Sequence, residues 1–166
     1  MVRVDIETII MASGNIPSVI VLRERSSSAA TDSPLRALSI QTGSYEAAAI
    51  SQGIGGEKRA RPITHDLFTN TLKELHAKVS RVEITRVDSP LFYASLVFSD
   101  GEGTEHVVDA RPSDAIAMAV RSNAPIYVED DVMNRAANIS FPAEKDDEAE
   151  FELFDRFVQT LSPDDF

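Results

Sequence analysis

Two short segments, Arg61-Pro62-Ile63-Thr64-His65-Asp66 and Arg111-Pro112-Ser113-Asp114, share a plan: an Arg-Pro pair, then a hydroxyl residue and an aspartate. Proline suits the first turn of a helix, serine or threonine can cap it, and an aspartate there meets the positive end of the helix dipole. Helix initiation accounts for most of both segments but not for the arginines. Arg61 and Arg111 each stand beside free backbone N–H groups at a helix start, a combination suited to gripping a phosphate or carboxylate, with Thr64 and Ser113 as further anion-binding groups. If the two starts meet in space, His65, Asp66, Asp109 and Asp114 would surround that anion with general bases or metal ligands, the parts of a phosphodiesterase. An internal network of Arg–Asp salt bridges holding helices to a sheet would use the same residues without any chemistry.

The remaining candidates are fewer. Glu46, in "SYEAAAI", lies in the first turn of a predicted helix, where a dipole role and a role as a third metal ligand beside Asp109 and Asp114 both fit. Such hard oxygen ligands would select Mg²⁺ or Mn²⁺ over zinc. His65 is the histidine placed for catalysis; His76 is three turns along the same predicted helix, and His106 falls in a predicted strand. The glycines of "GIGG" do not form a phosphate loop, because no GK[ST] follows them.

Composition narrows the class. Without cysteine, disulfides, thiolate catalysis and cysteine-based metal centres are excluded. The net charge of −11 argues against a broad nucleic-acid surface, since Lys and Arg supply most of that affinity. The charge is uneven: residues 143–166 hold nine acids against Lys145 and Arg156, a net −7, which leaves −4 for the first 142 residues. A local nucleic-acid site of weak, salt-sensitive affinity is compatible with that body. No run reaches the ~18–20 apolar residues of a membrane span, and charges interrupt the first apolar stretch, so a cytoplasmic protein without membrane contact is expected.

The elements that must position these residues follow from periodicity. "VRVDIETIIMA" and "SVIVLRE" read as a hairpin around the Gly14–Pro17 turn, "SSSAATDSP" as a loop, and "LRALSIQT" as a third strand. "SYEAAAISQGI" reads as a short helix with Ser44 at its N-cap, followed by a positive, glycine-rich loop. Phe68, Leu72, Leu75 and Val79 at i, i+4, i+7 and i+11 predict a helix from Thr64 to Val79. "RVEITRVD", "LFYASLVFSD" and "EHVVDA" predict an antiparallel meander, a helix follows Arg111, and "APIYVEDD" predicts a last strand. The class is α+β with a mixed, mainly antiparallel sheet packed with a few helices. A domain over 1–138, an acidic linker over 139–148 and an amphipathic helix over 149–161, with Phe151, Phe154, Phe157, Val158 and Leu161 as its stripe, complete the expected organisation. Self-association would run through the sheet or that helix.

"GSYEAAAI", "RPITHDLFTNTLKEL", "FYASLVF" and "DARPSDAIAMAVRSNAPIYVEDDVM", in this order, resemble the bifunctional nuclease domain family of bacteria and plants, from near residue 1 to about 135. The resemblance implies a compact α+β fold of the family's own type and cleavage of both DNA and RNA. Its motif positions fall on Glu46, Arg61, Pro62, Thr64, His65, Asp66, Asp109, Arg111, Pro112, Ser113 and Asp114. The chain departs from many relatives at "VDSPLFYA", where they carry a glycine-rich turn, and in its acidic, phenylalanine-rich tail. The expected function is a small nuclease: a divalent ion on Asp109, Asp114 and Glu46 or Asp66, a scissile phosphate held by Arg61 and Arg111, and proton transfer through His65. The alternative is a non-catalytic anion-, nucleotide- or partner-binding module in which the Arg-Pro motifs are structural.

Overall fold

The computed structural model describes residues 1–12, 16–25, 35–56 and 60–136. In chain order these form β1 (Val2–Ile10), β2 (Ser18–Glu24), β3 (Ala37–Thr42), α1 (Ser44–Gly55), α2 (Thr64–Glu74), β4 (Lys78–Asp88), β5 (Leu91–Ser99), β6 (Glu105–Ala110), α3 (Pro112–Ser122), β7 (Ile126–Val128) and α4 (Asp130–Ala136). The seven strands make one sheet in the order β3-β2-β1-β7-β4-β5-β6. Two antiparallel meanders are joined by three-residue β7, which runs antiparallel to β1 and parallel to β4. The α+β class and the mixed, mainly antiparallel sheet are therefore as the sequence predicts. Among the described residues no helix is long and apolar enough to cross a membrane.

Alternation along the strands sets what faces the helices. Val79, Val82 and Ile84 of β4 share one buried cluster with Ala94 and Leu96 of β5, Leu22, Leu38 and Ile40 of the other meander, and residues 115–119 of α3. Helix α3 buries all five of those consecutive residues because it is packed by β4 and β5 below and by α1 and α2 at its sides. Three of the five are alanines, which let the neighbouring helices come close. Helix α4 touches both β3 and β4, although three strands separate them in the sheet, so the sheet curls around it. Val132 and Met133 fill the inside of that curl.

Four local expectations need correction. Helix α2 ends at Glu74, not Val79: His76 takes a left-handed backbone (φ 56°), the N–H groups of Leu75, His76 and Ala77 close onto carbonyls of the last turn, and Val79 enters β4 opposite Phe98. The buried residues of α2 are Thr69 and Leu72, whereas Phe68 and Leu75 face outward, because His65 and Thr69 rather than Phe68 pack toward α3. Helix α1 is capped by Gly43 rather than by Ser44, and the end of the last predicted strand is helix α4, with Asp130 and Asp131 in its first turn. The predicted loop at 26–34, the acidic linker and the C-terminal helix lie outside the described residues.

Candidate functional site

Helices α1, α2 and α3 begin alike. Their N-caps are Gly43, Ile63 and Arg111, none of which caps through its side chain, and each helix carries an acid three residues later: Glu46, Asp66 and Asp114. A carboxylate at that position complements the helix dipole and can reach back to the N-cap N–H. Asp66 does so, accepting from Ile63 N at 3.0 Å. Asp114 does not.

Instead, Asp114 ties the helix starts together. Arg111 donates from Nε to Asp114 Oδ2 at 2.8 Å and from Nη2 to Oδ1 at 3.2 Å, a two-point grip, and from Nη1 to Glu46 Oε1 at 3.2 Å. His65 Nε2 lies 3.2 Å from Asp114 Oδ1. Because an ionised carboxylate only accepts, Nε2 must carry a proton, and in the neutral ring Nδ1 is then the acceptor. Burial alone would raise the Asp114 carboxyl, but the hydrogen bonds from Arg111 and His65 outweigh it and hold the group below the usual aspartate range. The hydrogen bonds and charge of Asp114 in turn raise Arg111.

Around this chain of four side chains lies a cavity of about 560 Å³ lined by Tyr45, Glu46, Thr64, His65, Arg111 and Asp114, among others. The starts of all three helices thus meet at one opening. The Arg111 side chain is 65% exposed, so its charge is open to solvent and to a ligand. Gly43 matters locally: the Glu46 carboxylate folds back over it, into the space a Cβ would take.

The other sequence candidates go elsewhere. Asp109 pairs with Ser95 across β5 and β6, one residue before Ala110, which packs on the core; alternation therefore turns Asp109 to the opposite face of the sheet. Asp66 and Arg61 line a neighbouring cavity, where Arg121 Nε donates to Asp66 Oδ1 at 2.7 Å. That hydrogen bond leads the causes holding Asp66 below its ordinary value. Ser113 is buried at a smaller cavity between the end of β3 and the β4–β5 turn, with Glu46 and Arg111 between it and the main opening. Among the described residues, no three of His, Asp and Glu group as a metal ion would require. The three ligands expected from the sequence, Asp109, Asp114 and Glu46, are not brought together. His76 lies beyond the end of α2, and His106 stacks on Phe98 in β6 with Nε2 2.7 Å from Asp100 Oδ2.

Comparison with known proteins identifies the domain. Residues 21–140 match the bifunctional nuclease domain, a span that holds α1, α2 and α3 and every residue of the Glu46–Arg111–Asp114–His65 chain. The chain belongs to this family. It is also similar to two uncharacterized proteins of Mycobacterium tuberculosis, from different strains, each 39% identical over 138 residues that cover 79% of this chain and 81% of the relative.

In this bifunctional nuclease domain the sequence motifs divide between two neighbouring cavities. Arg121, the partner of Asp66, was not among the sequence candidates. Its position in the last turn of α3 offers only the ordinary pairing of a cation with a helix C-terminus, and nothing in the sequence points it at Asp66.

Proposed function

We propose that the cavity at the three helix starts binds and hydrolyses phosphodiester bonds of DNA and RNA strands. The observation that carries this reading is the Asp114–His65 pair held beside Arg111 at one opening, in a domain of the bifunctional nuclease family. Asp114 fixes the His65 tautomer, as the carboxylate of a catalytic triad does, and presents Nδ1 as the general base. Water adds to phosphorus as one P–O bond breaks, and the proton taken by His65 returns to the departing oxygen. Arg111 exchanges its contact with Glu46 for a phosphate oxygen and stabilises the charge that develops there.

A divalent ion on Asp109, Asp114 and Glu46 does not fit these residues. Asp109 is on the other sheet face, and Arg111 already occupies oxygens of both Glu46 and Asp114.

One observation favours the second reading, a non-catalytic anion- or nucleotide-binding module. With His65 neutral, Arg111 against Glu46 and Asp114 leaves this cavity at net −1, a poor start for holding phosphate. The deciding experiment is cleavage of end-labelled single-stranded RNA and DNA by the full chain, with Mg²⁺, Mn²⁺ or EDTA, beside folded His65→Ala and Asp114→Ala. Cleavage that either substitution lowers about a hundredfold or more supports the nuclease, since general base catalysis contributes ~10²–10⁴-fold. Binding of the strands with no cleavage in any arm supports the module.

A further inference from the structure

The cavity beside the proposed active site has the opposite charge. It measures about 620 Å³ and is lined by Arg61, Lys73, Arg121 and Asp66, with the side-chain amides of Gln52 and Asn70. Three cations against one carboxylate give net +2 there, in a chain whose total is −11. Arg121 is bound into the structure by Asp66 and by Ala117 O, its side chain only 8% exposed. Arg61 and Lys73 are exposed, and among the described residues neither forms an ion pair.

The two cavities are laid out along α1 and α3, which run side by side in the same direction: Glu46 meets Arg111 at their starts, and Gly53 meets Val120 and Arg121 near their ends. The start of α2 lies across them, with His65 turned to Asp114 and the next residue, Asp66, turned to Arg121. Asp114 and Arg121 are seven residues apart on α3, so the cavities are displaced by about 10 Å along the helix axis.

We infer that the Arg61–Lys73–Arg121 cavity is a phosphate subsite that holds a nucleic-acid strand to one side of the bond placed at His65. The inference rests on the proposed nuclease reading. It removes the difficulty of the net −1 cavity: anchoring resides in the neighbouring net +2 cavity, and the His65–Asp114 site needs only to act on the phosphate delivered to it. It also assigns the two Arg-Pro motifs different work, Arg61 to holding the strand and Arg111 to the reacting phosphate.

The test compares binding of a labelled 12-nucleotide single strand and a dinucleotide to the full chain, by fluorescence anisotropy across 0.05–0.3 M salt. Arg61→Gln/Lys73→Gln is expected to weaken the 12-mer about tenfold and to reduce the slope of log K against log[salt] by about 1.4, two contacts at ~0.7 each for single strands. Arg61→Lys/Lys73→Arg keeps the charges and should restore both. Wild type should favour the 12-mer over the dinucleotide, and the Gln variant should lose most of that length advantage. An unchanged slope in the Gln variant overturns the subsite, even if the wild type cleaves. Loss of inorganic pyrophosphate binding in the Gln variant with no effect on the 12-mer overturns it too, in favour of a free-anion site. A wild type that binds with the expected slope but never cleaves keeps the subsite and defeats the nuclease reading.

Discussion

Removing Asp66 should destabilise the domain through two separable contacts. Asp66 Oδ2 accepts from Ile63 N at the start of α2, and Oδ1 accepts from Arg121 Nε at 2.7 Å. Losing an acceptor at a helix start costs about 1 kcal/mol. Stranding a buried charge costs about 3–5 kcal/mol. Arg121 is 8% exposed, but Asp66 is 35% exposed and Ala117 O still accepts from Arg121, so that second term shrinks to roughly 1–2 kcal/mol. Asp66→Ala should therefore lower unfolding free energy by about 2–3 kcal/mol, and Asp66→Asn, whose amide oxygen can still accept from Ile63, by about 1–2 kcal/mol. Urea unfolding followed by circular dichroism reads both values. Asp66 titrates below its ordinary 3.8, so its contribution is complete above that pH and disappears as pH falls through the lowered value. The gap between wild type and Asp66→Ala should close correspondingly in acid. An Ala variant within about 0.5 kcal/mol of wild type, or a gap that persists unchanged once Asp66 is protonated in acid, refutes the reasoning.

Other consequences are equally direct. Gly53→Ala would gain about 1 kcal/mol of helix propensity, yet its Cβ would stand 2.5 Å from Val120 Cγ2 and 2.8 Å from Arg121 Nη1, so a net loss of about 1–2 kcal/mol in thermal or urea unfolding is expected. Asp109→Ala should leave strand cleavage within about twofold of wild type while Asp114→Asn lowers it about a hundredfold or more in a turnover assay, because Asp109 lies on the far sheet face and Asp114 orients the base. Since Asp114 too is held below the aspartate range, acid unfolding of Asp114→Asn should lack part of the wild-type loss of stability seen as pH drops below about 4.

Much of this arrangement was legible in the sequence, for identifiable reasons. Period-two runs separated by turn residues marked the strands of both meanders, and the paired Arg-Pro motifs marked the starts of α2 and α3, whose meeting the sequence left as a condition. The errors came where a local pattern served two structures. Val79 fits a helical stripe and also the first inward position of β4; pairing with Phe98 decided for the strand. Phe68 completes the stripe of α2, but the start of the helix is pinned by His65 to Asp114 and by Asp66 to Arg121, and that rotates Phe68 outward. Asp109 sits two residues before Arg111, close enough in sequence to be read into the same cluster. Strand alternation separates them, because β6 ends at Ala110 and the chain turns into α3 only afterwards.

The three helix starts show why capping residues conceal chemistry in a sequence. Glu46, Asp66 and Asp114 occupy the same helical position and satisfy the same dipole argument, so nothing local ranks them. Their partners do. Asp66 completes an ordinary cap and neutralises a nearly buried arginine, which makes it structural. Glu46 and Asp114 leave their N-cap N–H groups unbonded and converge on the Arg111 guanidinium, and only Asp114 also holds a histidine. A carboxylate that forgoes its cap gives up a local stabilisation, and the interaction that replaces it is the one to examine for function. By that criterion Asp114, held between Arg111 and His65, is the centre of the proposed site, and the aspartate most like it in sequence is not.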